Sequence, residues 1–278
     1  MGSAPVGRRP RHTRHPTPDD TSDPARPVSG GSLRVGTSGF AYPAWAPAFY
    51  PAGTRGDALL PAYAARLPAV ELSTTYYRQP TSAQAAAWAA RTPPTFRFSV
   101  KLLRTGVLRA YGGDPADTFR WLTEPLGAFG ARLGTALLRV PDDRPRDDAR
   151  LAALLAAWPA ATPLALELQN PAWHDDEIFA IAGAHGAVVV CTETDDAPNP
   201  PLTVTGPFVY LRLRRERYGI ADLDAWAARL EPFLADGRDA FVFFRHDAHG
   251  ATPGDAISLA ARLPGYAAGG DPGGRAAT

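Results

Sequence analysis

Cysteine and methionine each occur once in the 278 residues, as Cys191 and Met1. A lone cysteine excludes an internal disulfide framework and a Cys-rich zinc or iron–sulfur site. Lysine is almost missing as well, Lys101 being the only one among 29 basic residues. With 28 acidic residues the formal net charge is +1, so no overall field announces a nucleic-acid or membrane binder. Long hydrophobic runs are also lacking. The longest uncharged stretch, Val35 to Thr54, is twenty residues, but Pro43, Pro47, Pro51 and three glycines interrupt it, and such a segment does not span a bilayer as a helix. The first 31 residues contain no glutamate and few large apolar groups. Five arginines against three aspartates give them a charge of about +2, and they read as a flexible, basic, Pro-rich tail without the apolar core of a secretory signal. The expectation is a cytoplasmic protein with no membrane partner.

What is present is globular composition, 45% hydrophobic and 21% charged. Eight short apolar runs recur at Leu33–Thr37, Val70–Ser73, Phe96–Val100, Thr135–Val140, Leu164–Leu168, Ala187–Thr192, Phe208–Leu213 and Ala240–Phe244. Most are continuous rather than alternating, the pattern of strands buried on both faces of a parallel sheet. Helical patterns lie between them. Thr81 with Gln84 forms a capping-box signature. Leu151, Leu154, Leu155 and Trp158 share a face, as do Leu223, Trp226, Leu230 and Phe233. Asp175, Asp176 and Glu177 suit a helix start, and Thr252-Pro253 reads as an N-cap with proline at the first position. Pro125 and Pro232 sit inside helical patterns and predict a kink or break. Eight strands alternating with helices predict an α/β fold, a single TIM-type (β/α)8 barrel, over residues 32–264, with the tail over 1–31 and a flexible C-terminus over 265–278. The competing open doubly wound sheet wants a G-x-G-x-x-G turn, and Gly36-Thr37-Ser38-Gly39 does not supply it.

In such a barrel the C-terminal strand ends bind ligands. They carry Thr37, Ser38 and Tyr42 after the first strand, Glu71, Tyr76, Tyr77 and Arg78 around the second, and Lys101 and Arg104 after the third. Arg139 follows at the fourth, Glu167, Gln169 and Asn170 at the fifth, and Glu193 at the sixth. Arg212 and Arg214 stand at the seventh, and Arg245, His246 and Asp247 at the eighth. Glu71 and Glu167 lie in apolar runs, where an unpaired carboxylate would be costly. Each is either an acid/base or metal-binding group or half of a buried ion pair. Lys101 stands where this chain otherwise uses arginine. It could serve as a base, a Schiff-base amine or a phosphate contact, but the reading favoured is an ion pair with Glu71. Arg212, Arg214, Arg215, Arg217 and Arg245 suit a phosphate or carboxylate, or pair with Asp195, Asp196 and Glu216. His246-Asp247 is an oriented imidazole or half of a metal site. Cys191 reads as a small buried side chain. Tyr42, Trp45, Phe49, Tyr50, Tyr76 and Tyr77 form either a stacking wall or a barrel plug.

Together these motifs resemble the YecE-like family, domain-of-unknown-function family seventy-two. Val35-Gly36-Thr37-Ser38-Gly39-Phe40, with Tyr42, Trp45 and Phe49-Tyr50-Pro51, is similar to its opening segment. Val70 to Arg78 and Thr92 to Lys101 resemble its second- and third-strand motifs. Leu166 to Trp173, Tyr210-Leu211-Arg212 and Phe244 to Gly250 continue it. Phe40 stands where the family often has Trp, Leu108 near its His, Arg214-Arg215 in place of His-Gly and Arg245-His246 in place of Asn-Asn, which marks a divergent member. The resemblance implies a TIM-type barrel and brings no established reaction.

The functional expectation is therefore an anionic ligand, phosphate- or carboxylate-bearing, at the mouth. Glu71, Lys101, Glu167 and Asp247 are the catalytic candidates for hydrolase- or lyase-type acid/base chemistry. Thr37, Tyr42, Tyr77, Arg78, Arg212, Arg214, Arg245 and His246 are the ligand-binding candidates. Cofactor and metal are left open. The alternative is a non-catalytic module for a ligand or nucleic acid, with the basic tail as an electrostatic arm.

Overall fold

The computed structural model describes residues 1–2 and 30–267, and the tail and chain end expected from the sequence lie almost wholly outside those residues. Nine strands form one parallel sheet: β1 (Leu33–Ser38), β2 (Ala69–Leu72), β3 (Arg97–Lys101), β4 (Leu133–Val140), β5 (Leu164–Leu168), β6 (Val188–Val189), β7 (Cys191–Glu193), β8 (Phe208–Leu213) and β9 (Asp239–Phe244). Their spatial order is β6-β5-β4-β3-β2-β1-β9-β8-β7. The two outermost strands of that order, β6 and β7, are joined through the single residue Val190, so the sheet curls into a nearly closed barrel.

Eight strands were expected, and the ninth arises because the run Ala187–Thr192 is divided. Val188 and Val189 pair with Ala165 and Leu166 of β5. On their other edge the Thr205 hydroxyl accepts from Val189 N at 2.8 Å and donates to Ala187 O at 2.9 Å, filling the positions that β8 would take. Gly206 allows this close approach, since a Cβ there would lie 2.7 Å from Val188 Cγ2. Past Val190 the chain leaves β5, and Cys191, Thr192 and Glu193 pair with Leu211, Arg212 and Leu213. The barrel is thus unstitched between β5 and β7 at its C-terminal end. Leu168 O, the rung that would have followed Leu166 O, instead faces His174 Nε2 at 2.7 Å.

Eight helices cover the described barrel: α1 (Leu59–Ala64), α2 (Ser82–Ala90), α3 (Arg104–Gly112), α4 (Pro115–Thr123), α5 (Asp148–Ala156), α6 (Asp176–Ala184), α7 (Ile220–Ala235) and α8 (Thr252–Arg262). They are not one per strand. Two lie between β3 and β4, and the segment between β7 and β8 has none, because Pro198, Pro200 and Pro201 deny it helical hydrogen bonds. The Thr81 hydroxyl accepts from Gln84 N and Asp175 from Ile178 N, as the capping patterns predict. At Pro125 the α-helix gives way to a tighter turn, whereas α7 runs through Pro232 to end at Ala235, the proline leaving the Ala228 carbonyl without its helical donor. Thr252 is not the N-cap of α8 but its first residue.

Side chains alternate across each strand, and the two faces bury different cores. Outward residues such as Val35, Val70, Leu166, Leu211 and Val242 pack under the helices. Inward residues Ala69, Leu137, Ala165, Val188, Val190, Phe208, Tyr210, Phe241 and Phe243 fill the barrel. Among the described residues no helix is long and apolar enough to cross a membrane.

Candidate functional site

Two residues beyond the inward Ala69, Leu137, Ala165 and Tyr210 stand Glu71, Arg139, Glu167 and Arg212, and two beyond Ser99 stands Lys101. The alternation that fills the barrel with apolar groups thus ends, at the C-terminal strand ends, in a layer of charge. Glu71, Lys101, Glu167 and Arg212 come together there although they are distant in sequence.

Arg212 links the two glutamates. Its Nη2 donates to Glu71 Oε1 at 2.8 Å and its Nη1 to Glu167 Oε1. Glu71 is wholly buried and also accepts from Tyr210 Oη at 2.8 Å and Ser38 Oγ at 2.8 Å. Ser99 Oγ lies 2.6 Å from the same phenol. Burial alone would push the Glu71 carboxyl up, but Arg212, Arg214 and Lys101 outweigh it and hold it down at about 2. Arg212 is held charged, its two carboxylates outweighing burial. Tyr210 is pushed well above the ordinary phenol value, first by burial and then by Glu71, so it remains a donor. Such a pair is costly to desolvate and is stabilised by the number of its hydrogen bonds.

Lys101 departs from the sequence reading. It is 6% exposed, yet no carboxylate approaches Nζ to salt-bridge distance among the described residues, because Glu71 and Glu167 are engaged by Arg212. The ion pair with Glu71 is therefore not formed. Lys101 Nζ instead lies 4.3 Å from the centre of the Tyr76 ring, with the Arg139 guanidinium 5.8 Å from the same ring. Burial and the charge of Arg212 lower its pKa to about 8 against the pull of Glu167 and Glu71.

Toward the rim, Arg214 Nη1 donates to Ser38 Oγ at 2.8 Å, and Arg245 Nη1 to Arg214 O at 3.4 Å. Among the described residues neither pairs with a carboxylate, whereas Arg215 meets Asp222 at 2.9 Å and Asp195 at 3.9 Å. Of the readings for the arginine run, pairing fits Arg215 and also Arg212, whose partners are Glu71 and Glu167 rather than Asp195, Asp196 or Glu216, and it does not fit Arg214 or Arg245 among the described residues. His246 stacks on Tyr42 with ring centres 5.0 Å apart, and its pKa is lowered by burial, then by Arg214 and Arg245. Trp45, Phe49 and Tyr50 are buried in the cluster that packs against the outward strand faces and not in the one that fills the barrel, while Tyr42 bonds Ser38 O, Tyr76 lies under Lys101 and Tyr77 is 82% exposed.

Other candidates stand apart. Asp247 caps the approach to α8, accepting from Gly250 N, Ala251 N and the Thr252 hydroxyl, so both its oxygens are occupied. Thr37 turns outward to Tyr63, whose hydroxyl bonds its amide at 2.8 Å. Arg78 is exposed beside Tyr77. Glu193 is buried, accepting from Trp226 Nε1 and Asn199 N, and ties β7 to α7 and the following loop. Among the described residues no three His, Cys, Asp or Glu side chains gather as a metal-holding group. Tyr210 and Ser99 were missed, although both stand two residues before a recognised polar residue, which is the inward parity. Thr192 was missed also. It pairs with Arg212 in the sheet, and its hydroxyl is buried without a hydrogen-bond partner among the described residues, as are Arg139 Nε, Glu167 Oε2 and Arg212 Nε.

Glu167 and Thr192 also line a cavity of about 440 Å³ in the unstitched seam between β5 and β7. A larger one, about 790 Å³, opens at the opposite end of the barrel near Gly134, His185, Phe208 and Asp239. The buried acid–base cluster is at the first end, where parallel barrels carry their chemistry.

The chain is similar in fold to a protein from Thermotoga maritima MSB8 (24% identity, TM-score 0.72, covering 84% of this chain and 99% of that one). It also resembles a protein from Enterococcus faecalis V583 in two crystal structures, at 19% identity with TM-score 0.69 over 84% of this chain and 95% of that one, and at 18% with TM-score 0.67 over 85% and 99%. All three structures are described as DUF72 family proteins. No curated protein matches. The profile of the protein family of unknown function DUF72 matches residues 34–273, and the chain belongs to that family, which is the YecE-like family.

Proposed function

We propose that the charged end of this TIM-type barrel binds an anionic small molecule bearing a phosphate or carboxylate, with Lys101 as its principal contact and the group that moves a proton. The observation that carries this reading is a buried ammonium with no carboxylate partner among the described residues. Around it Lys101, Arg139, Arg212, Arg214 and Arg245 are balanced among the described residues by the carboxylates of Glu71 and Glu167, so positive charge is in surplus within a low-dielectric layer. An anion would supply the missing partner for Lys101.

Roles divide by environment. Glu71, held ionised by three close donors, fixes the Arg212 guanidinium and is a poor acid near neutrality. Lys101, with a pKa of about 8, exchanges a proton near neutral pH, as general acid–base chemistry of a hydrolase or lyase requires. Titration calorimetry with inorganic phosphate and with acetate tests the reading. Saturable binding that Lys101→Met abolishes supports it, and no binding of either anion to the unmodified protein refutes it.

A further inference from the structure

The unpartnered polar atoms at the mouth are not scattered. Arg139 Nε and Glu167 Oε2 lie 3.4 Å apart, yet neither makes a hydrogen bond, because the two are misaligned. One is a donor and the other an acceptor, so a single hydroxyl packed alongside the pair would accept from the first and donate to the second. Thr192 Oγ1, also buried and unpartnered, lines the same 440 Å³ cavity as Glu167, with Gln169 and His174 as further polar walls and Leu168, Val190 and Cys191 among the apolar ones. The cavity exists because the sheet parts there, β6 following β5 and β7 following β8. Glu167 on its wall, with Oε2 unpartnered among the described residues, calls for a hydrogen-bond donor. A cavity of this size holds several heavy atoms beyond an anionic head.

We infer that the seam between β5 and β7 is a subsite for the neutral, hydroxyl-bearing part of the ligand, so that the substrate class is a polyhydroxylated phosphate or carboxylate, its anion on the Lys101 side and its hydroxyls beside Glu167 and Thr192. This rests on the anion reading above and adds the identity of the neutral portion.

Calorimetry on the full chain with matched ligands tests it. The phosphate series is inorganic phosphate, propyl phosphate and glycerol 3-phosphate; the carboxylate series is acetate, propanoate and glycerate. The better series identifies the head group. The hydroxylated member should bind about tenfold more tightly than its alkyl counterpart, the worth of a hydrogen bond to a charged group. Thr192→Val removes an unpartnered hydroxyl, so it should leave folding intact and reduce that preference several-fold, with inorganic phosphate or acetate bound as before. Thr203→Trp, which fills the cavity from the loop side, should remove the preference altogether. Equal affinity for alkyl and hydroxylated members, with the simple anion still bound through Lys101, would overturn the subsite and leave the anion site standing. Failure of every anion in both series would overturn the two together.

Discussion

Arg212 Nη2 on β8 lies 2.8 Å from Glu71 Oε1 on β2, a contact that crosses the barrel between strands that are not neighbours. It ties opposite walls at the level where the proposed ligand would sit. Removing one member leaves the other charged, buried and short of a partner. Glu71→Gln is therefore expected to cost about 3–5 kcal/mol of stability, measured by urea unfolding at neutral pH. A loss below about 1 kcal/mol would mean that the pair is not formed in solution.

The same carboxylate sets a pH dependence. Its folded value of about 2 lies below the ordinary 4.5, so the stability it contributes is fully present above 4.5 and disappears as pH falls from there toward 2. In Glu71→Gln the unfolding midpoint should fall less steeply across that window than in the unmodified protein. Parallel curves would count against a depressed Glu71.

Lys101 gives the opposite dependence for binding. With a pKa of about 8, its charge is complete well below that value and lost as pH rises through it. Sulfate affinity, free of titration of the ligand itself, should weaken between pH 7 and 9 in the unmodified protein. Lys101→Met should bind weakly at every pH. A sulfate affinity that is flat over that range would remove Lys101 from the site.

Asp247→Ala should cost about 1–2 kcal/mol of stability through loss of the loop and cap bonds before α8. Phosphate affinity of the folded variant should be unchanged. A selective loss of binding at full stability would return Asp247 to the site.

Cys191 is buried, and burial pushes its thiol up to about 12. Labelling by an aromatic disulfide reagent at pH 8 should follow global unfolding rather than run ahead of it. Rapid labelling of the native protein would show that the seam between β5 and β7 opens readily.

Much of this was legible in the chain. Apolar runs such as LALEL mark strands buried on both faces, and a glutamate inside one needs a partner, which made Glu71 and Glu167 candidates and the C-terminal strand ends their location. Inward parity would also have found Tyr210 and Ser99, each two residues before a recognised group. Hidden from sequence was which cation meets which anion. Lys101 and Arg212 have equal claims on Glu71 when read along the chain. Only the cross-barrel geometry gives Glu71 to Arg212, whose fork reaches two carboxylates at once, and leaves Lys101 over Tyr76.

The amino-acid order by itself determined the alternation of buried strands and helices, the parallel sheet and the placement of charge at strand ends, because these follow from local periodicity and the cost of burying polar groups. Tertiary structure decided the split of the sixth run at Val190, the seam it opens and the partners of each charge. Those depend on a loop hydroxyl, Thr205, arriving sixteen residues after the amide it caps, and on distances across a barrel that no spacing along the chain encodes.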